Sequence, residues 1–204
     1  MADNRRVRRT SATLRIGAAA CAAALALGAC SGGSSEGGAT EDAVVPKGFD
    51  VPDGVTLTKG GTTLSEDEPA TIVYQVGERA ASAVTVTVTE VAKGSIDDFR
   101  FFSLDAQSRK ATPFYVTAKV TNEGPAGLGG AALPIYARDD SNVQLPASPV
   151  VGTFKPCSGS TLPKTFLTGA SARLCLVYLV PKGRALVSVD LQPGAAKDAI
   201  SWTP

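Results

Sequence analysis

The stretch AVTVTVTEV, residues 83–91, decides how the rest of the chain is read. Val84, Val86 and Val88 alternate with Thr85, Thr87 and Thr89. Successive side chains of an extended strand point to opposite faces, so the valines share one face and the threonines the other. An unbroken run of β-branched residues also suits the pleated backbone. The reading is a strand with one face in a core and the other toward water. Val91 falls out of phase with the earlier valines, which predicts a β-bulge or strand end near Glu90.

The same logic extends toward the C-terminus. In residues 114–122, Phe114, Val116, Ala118 and Val120 face inward, and Thr117, Lys119 and Thr121 face water. Residues 173–180 are apolar on both faces, with Leu174, Leu176 and Tyr178 on one and Cys175, Val177 and Leu179 on the other. That pattern predicts a strand in the middle of a sheet or between layers. In residues 185–191 the inward set is Val187, Val189 and Leu191. Residues 72–76, 133–138 and 200–203 are shorter strand candidates. Between these runs lie NEGP (122–125), DDSN (139–142) and PKG (181–183), which turn the chain through positive φ, fixed φ and local side-chain caps. No helical period is sustained beyond residue 29. Short strands at this spacing predict an all-β protein, an antiparallel sandwich first and a closed barrel second.

The N-terminus carries a different signal. Arg5, Arg6, Arg8, Arg9 and Arg15 precede an uncharged run over residues 16–27, Ile16 followed by Ala, Leu and Gly with one cysteine, Cys21, and Leu27-Gly28-Ala29-Cys30 closes it. Small residues ahead of a cleavage point suit a signal peptidase. Twelve helical residues rise only about 18 Å, short of the roughly 30 Å hydrocarbon core, so the run is too short to span a bilayer comfortably. Leu27-Gly28-Ala29-Cys30 resembles the lipobox of bacterial lipoproteins. The resemblance implies cleavage after residue 29, a diacylglycerol on the Cys30 sulfur and anchorage on the extracytoplasmic face of the cell membrane; an ordinary thiol after an ordinary signal is the alternative. Residues 1–29 are thus expected to be a signal peptide. The Gly- and Ser-rich residues 30–48 are expected to be a tether, residues 49–69 a transitional extended segment, and residues 70–204 the β domain.

Without residues 1–29 the chain loses five Arg and Asp3, which leaves 15 basic and 18 acidic residues and a net charge of −3. No clustered basic surface for nucleic acid is expected from such a balance. Two cysteines remain besides Cys30, namely Cys157 and Cys175. In an oxidising compartment their default is a disulfide, and closing a loop of that length stabilises by about 3 kcal/mol in the chain-entropy model. A metal or redox pair is the alternative, but there is neither CxxC spacing nor any His.

The motif FYVTAKVTN (114–122) is similar to the central strand of immunoglobulin-like domains in Gram-positive and actinobacterial lipoproteins. GASA (169–172) followed by LCLVYLVP (174–181) resembles a later strand of that family, ISW (200–202) its last strand, and DDSN (139–142) its polar hairpin. The resemblance covers roughly residues 70–204. It implies an immunoglobulin-like β-sandwich, a fold similar to that of a secreted mycobacterial immunogenic protein, and it brings no active-site residue.

Chemistry narrows further by residue type. The absence of His from the whole sequence removes Ser-His-Asp and Cys-His catalysis and most zinc and haem ligation. Met1 is the single methionine, and no P-loop is present. The acidic pairs Asp97 with Asp98 and Asp139 with Asp140 alternate faces in a strand or sit solvated in a turn, and the Glu66-Asp67-Glu68 triplet lacks the alternating oxygens of a calcium loop. Phe99, Phe101 and Phe102 are the candidate partner patch: on a strand, Phe99 and Phe101 would share one face and Phe102 the other. The expected protein is a non-enzymatic, membrane-anchored accessory or binding module. Its expected partner is an envelope protein or the cell wall, and it needs no metal or cofactor beyond the lipid on Cys30. A small-ligand carrier or a His-independent envelope enzyme is the alternative.

Overall fold

The structure, a computed structural model, describes residues 42–78 and 80–204. The expected signal peptide, Cys21, Cys30 and the tether up to residue 41 lie outside the described residues.

Among the described residues nine strands form two sheets: β1 (Thr63–Ser65), β2 (Pro69–Val76), β3 (Ala80–Lys93), β4 (Thr112–Asn122), β5 (Ile135–Asp139), β6 (Gln144–Pro146), β7 (Ser171–Val180), β8 (Leu186–Leu191) and β9 (Ile200–Thr203). One sheet has the order β2-β3-β4-β7 and the other β1-β9-β8-β5-β6. All pairs are antiparallel except β1 with β9. The fold is an all-β sandwich. Val84, Val86 and Val88 of β3, Val116, Ala118 and Val120 of β4, and Leu174, Leu176 and Tyr178 of β7 meet Ile135, Val189, Leu191, Ile200 and Trp202 of the facing sheet in one core. The two large rings keep their polar atoms paired: Tyr178 Oη donates to the Ile135 carbonyl at 2.8 Å, and Trp202 Nε1 donates to the Glu68 carbonyl at 2.9 Å.

The bulge in β3 falls where the valine phase breaks. Val88 pairs with Ala118 and Glu90 with Thr117, so Thr89 is the extra residue. A second register shift corrects an expectation. In the β5 and β8 pair, Arg138 faces Ser188 and Asp139 faces Leu186, so Val187 is skipped. The slip turns Val187 outward, where it is 41 % exposed, while Val189 and Leu191 stay in the core.

Strand β7, predicted in mid-sheet or between layers, takes the second setting: it is the edge of its sheet, with an apolar layer on each face. The inner face joins the main core. The outer face, Cys175, Val177 and Leu179, is covered by a second apolar cluster built on Phe99, Phe154 and Cys157. The open edge is met by the connection between β6 and β7. Ser148 N donates to the Val177 carbonyl at 2.7 Å, and Cys175 N donates to the Gly159 carbonyl at 3.1 Å. Loops, rather than a neighbouring strand, cover this edge.

The segment before β2 also packs on the sandwich. Leu57 is buried, Thr58 N donates to the Thr71 carbonyl at 2.7 Å, and β1 pairs with β9. Within the stretch read as tether, Asp42 pairs with Lys59 at 2.5 Å, and the Asp42 carbonyl accepts from Gly60 N at 3.3 Å.

Asn122, the last residue of β4, is fully buried and satisfies every polar atom of its side chain. Its Oδ1 accepts from Ser82 Oγ at 2.6 Å and from Gly124 N at 3.2 Å. Its Nδ2 donates to the carbonyls of Ala126 at 2.8 Å and Phe166 at 3.3 Å. Its backbone N donates to Ala170 O, and its carbonyl accepts from Gly169 N. One residue therefore ties β3, the turn after β4 and the entry to β7. Truncating it strands several buried groups, each worth about 1–3 kcal/mol. Asn122→Ala is expected to lower the unfolding free energy by about 3 kcal/mol and Ser82→Ala by about 1 kcal/mol, measured by urea titration followed through Trp202 fluorescence.

Candidate interaction surface

The connection from β3 to β4 begins with SIDDFRFF, residues 95–102. Ser95 opens a 3-10 turn over Ile96–Phe99: its Oγ accepts from Asp97 N at 3.2 Å, and the Asp98 carboxylate accepts from Ser95 N at 3.1 Å. Phe102 N then donates to the Phe99 carbonyl at 2.8 Å. This helical turn corrects the strand reading of the three phenylalanines. Residues three apart share a side of such a turn, so Phe99 and Phe102 go inward together. Phe101 stands out between them at 84 % exposure.

The inward pair rests on Phe154, which sequence reading did not single out. Phe154 is 4 % exposed and sits at the centre of an aromatic group. It stacks on Phe99 at 4.6 Å between centroids and takes edge contacts from Phe102 at 5.5 Å and Tyr115 at 5.7 Å. The cue for it was present: PVVGTFKPC, residues 149–157, is an apolar run in an otherwise Pro- and Gly-rich connection. Cys157 and Cys175 lie at disulfide distance, with Cα atoms 5.3 Å apart, and bring this connection onto β7.

Tyr115 joins the aromatic group to the turn. Its hydroxyl donates to Asp98 Oδ2 at 2.8 Å. Partial burial, followed by that hydrogen bond and the carboxylate charge, pushes the phenol well above its usual value. Burial does the same to Tyr178, helped by the charge of Asp190.

Between the two connections runs a groove of about 370 Å³, floored by Phe99, Phe102, Val150 and Leu179. Phe101 and Val151 rise on its rim, Val151 at 88 % exposure. A cleft of about 310 Å³ lies on the other flank of Phe101, with Arg100 and Lys155 along it. The Arg100 guanidinium lies 4.7 Å from the centroid of the Phe101 ring. Beside the cysteine pair a third cleft of about 250 Å³ opens. These spaces surround the 148–160 connection. Phe101 and Val151 are the two most exposed large apolar side chains among the described residues.

The acidic candidates are placed otherwise. Glu66 Oε1 accepts from Val91 N at 3.2 Å and Glu68 Oε2 from Ser65 N at 2.5 Å, so these carboxylates are engaged by backbone in separate places. Among the described residues no group of three His, Cys, Asp or Glu side chains is placed to hold a metal ion. Asp139 is buried rather than solvated. Its Oδ1 accepts from Ser141 N and Val143 N, both at 2.9 Å, and shapes the turn in which Asn142 takes a φ of 61°. A further polar group went unseen in the sequence. Asp190, 0 % exposed, receives Ser188 Oγ at 2.8 Å and the Nε of Arg138 at 2.7 Å, and pairs with the Arg138 Nη2. Arg138 Nη1 continues to Asn142 Oδ1 at 2.6 Å. Only the pairing of β5 with β8 brings these residues together.

Comparison with known proteins finds no matching family model, no matching curated protein and no matching solved structure. The class that the structure defines is an all-β two-sheet sandwich with an aromatic-based apolar surface on the outer side of β4 and β7.

Two outcomes follow. Phe154→Ala should lower stability by about 3 kcal/mol or more, whereas Phe101→Ser, at an exposed position, should change it by less than about 0.5 kcal/mol; paired denaturant titrations check both. The raised phenols of Tyr115 and Tyr178 hold stability that is complete below the usual value of 10.0 and is lost as pH rises above it. Tyr115→Phe should therefore flatten the alkaline limb of a stability profile measured above about pH 10, with the neutral limb as the internal reference.

Proposed function

We propose that the protein is an extracytoplasmic lipoprotein: residues 1–29 direct export, Cys30 carries the diacylglycerol anchor, and an immunoglobulin-like sandwich works at the envelope as a non-catalytic binding or accessory module. The lipid is its only covalent adjunct, and its counterpart is an envelope component, a protein or a cell-wall polymer, lying close to the membrane. The family resemblance of residues 114–122, 174–181 and 200–202 supports the immunoglobulin-like reading. So does the way the chain switches sheets between β4 and β5, between β6 and β7 and between β7 and β8.

One observation carries the binding role. Phe101 and Val151 are held out on the rim of a groove whose floor is already packed. Exposed apolar groups gathered in one place mark an interaction surface, because water is a poor neighbour for them. A binding site of this kind works through faces and loops and needs no reactive side chain.

The test has two readouts. Mass spectrometry of the mature N-terminal peptide should show Cys30 as its first residue, bearing a diacylglycerol; an unmodified thiol there ends the lipoprotein reading. A photoreactive residue in place of Phe101, activated in living cells, should attach an envelope component. If illumination leaves only the mass of the unmodified protein, the binding reading is lost.

A further inference from the structure

We infer that the rim formed by Phe101 and Val151 docks on the bilayer that carries the chain's own anchor, so that the domain lies against the membrane in one orientation. The inference rests on the lipid-anchor reading above and, for this rim, puts the bilayer itself in the place of the protein or polymer counterpart.

The shape of the surface favours a bilayer over an inserted peptide side chain. The groove floor is already engaged: Phe99 stacks on Phe154, and Val150 and Leu179 pack in the same cluster. What remains open is the rim, two apolar tips on separate connections, at 84 % and 88 % exposure. Protruding tips enter the headgroup and acyl boundary, where an aromatic ring and an aliphatic side chain both lose contact with water.

The charges beside the tips fit the same place. Arg100 stands over the Phe101 ring, and Lys155 lines the flanking cleft. Both are exposed, and neither forms an ion pair among the described residues. Of the acids near them, Asp98 is engaged by Ser95 N and Tyr115 Oη. Cations at the base of apolar tips meet lipid phosphates as the tips enter, and their stems lie along the boundary.

The length of chain outside the described residues supplies the third argument. Twelve residue steps separate Cys30 from Asp42, and Asp42 is bound to the domain through Lys59 and Gly60. Twelve steps span at most about 43 Å even when fully extended. An anchored domain therefore has Asp42 within about 43 Å of the lipid surface. At such effective concentration a small apolar contact suffices to set orientation, although it would not hold an unanchored domain.

The test uses the lipidated full-length mature protein in vesicles of phosphatidylcholine with phosphatidylglycerol. An environment-sensitive fluorophore is placed on Val151→Cys and, as a reference on an exposed hairpin, on Val143→Cys. Lipids with brominated acyl chains report contact. The expected result is quenching at position 151 at least several-fold stronger than at 143, and its loss in Phe101→Ser. Equal quenching at the two positions, or quenching indifferent to Phe101→Ser, overturns the inference. If Cys30 bears no lipid, the premise fails and the inference falls with it. If Cys30 is acylated but position 151 is unquenched while a photoreactive residue at 101 captures an envelope protein, docking on lipid is overturned and the binding role stands.

Discussion

The edge position of β7 is the constraint on which the outer architecture depends. A strand at a sheet edge exposes backbone donors and acceptors along one side, and this one also carries apolar side chains on both faces. Left bare, it would pair with another chain or aggregate. The connection from β6 to β7 resolves both problems at once. It hydrogen-bonds the edge at Ser148 and Gly159 and places Phe154 over Val177. The cysteine pair, one member in the connection and one in β7, holds this arrangement together. The connection from β3 to β4 completes the cover with Phe99 and Phe102. The candidate surface is thus a by-product of edge protection.

How much of this was legible depends on the range of the interaction. Alternation in residues 83–91 and 114–122 is a local property of the backbone, and β3 and β4 appear with the faces and the bulge that it implies. The two apolar faces of β7 are equally legible, but they leave open whether the strand sits in mid-sheet or between layers at an edge, and only the structure chooses the edge. Burial of both faces is compatible with a central strand or with an edge covered by loops, and the side chains of one strand do not choose between them. Val187 shows the same limit at one residue: its orientation is set by a register slip against β5, information held by the partner strand.

The polar interior was less visible than the apolar one. Asn122 looks from the sequence like a turn residue, and it does begin a turn, yet its side chain also links Ser82, Ala126 and Phe166. Arg138 and Asp190 sit at positions that alternation assigns to water. Asp190 is buried and Arg138 half-buried because each supplies the other's missing partner together with Ser188 and Asn142, and a carboxylate as enclosed as Asp190 must be paired. No short-range pattern encodes such a meeting across 52 residues. In the candidate surface, likewise, the spacing of Phe99, Phe101 and Phe102 is visible in the sequence, whereas the role of Phe154, which sets their geometry, exists only in the packing.

The exposure of Phe101 therefore reflects a built position rather than slack in a loop. On its N-terminal side the Ser95 and Asp98 hydrogen bonds define the turn, and Tyr115 anchors Asp98 to β4. On either side of it in sequence, Arg100 lies over its ring and Phe102 is held by Phe154. A side chain fixed at its base and bare at its tip has already met the conformational cost of being ordered, so covering it costs less entropy than covering a mobile one. This distinguishes Phe101 from Val187, whose outward orientation comes from a register slip between two strands and not from a turn built around it.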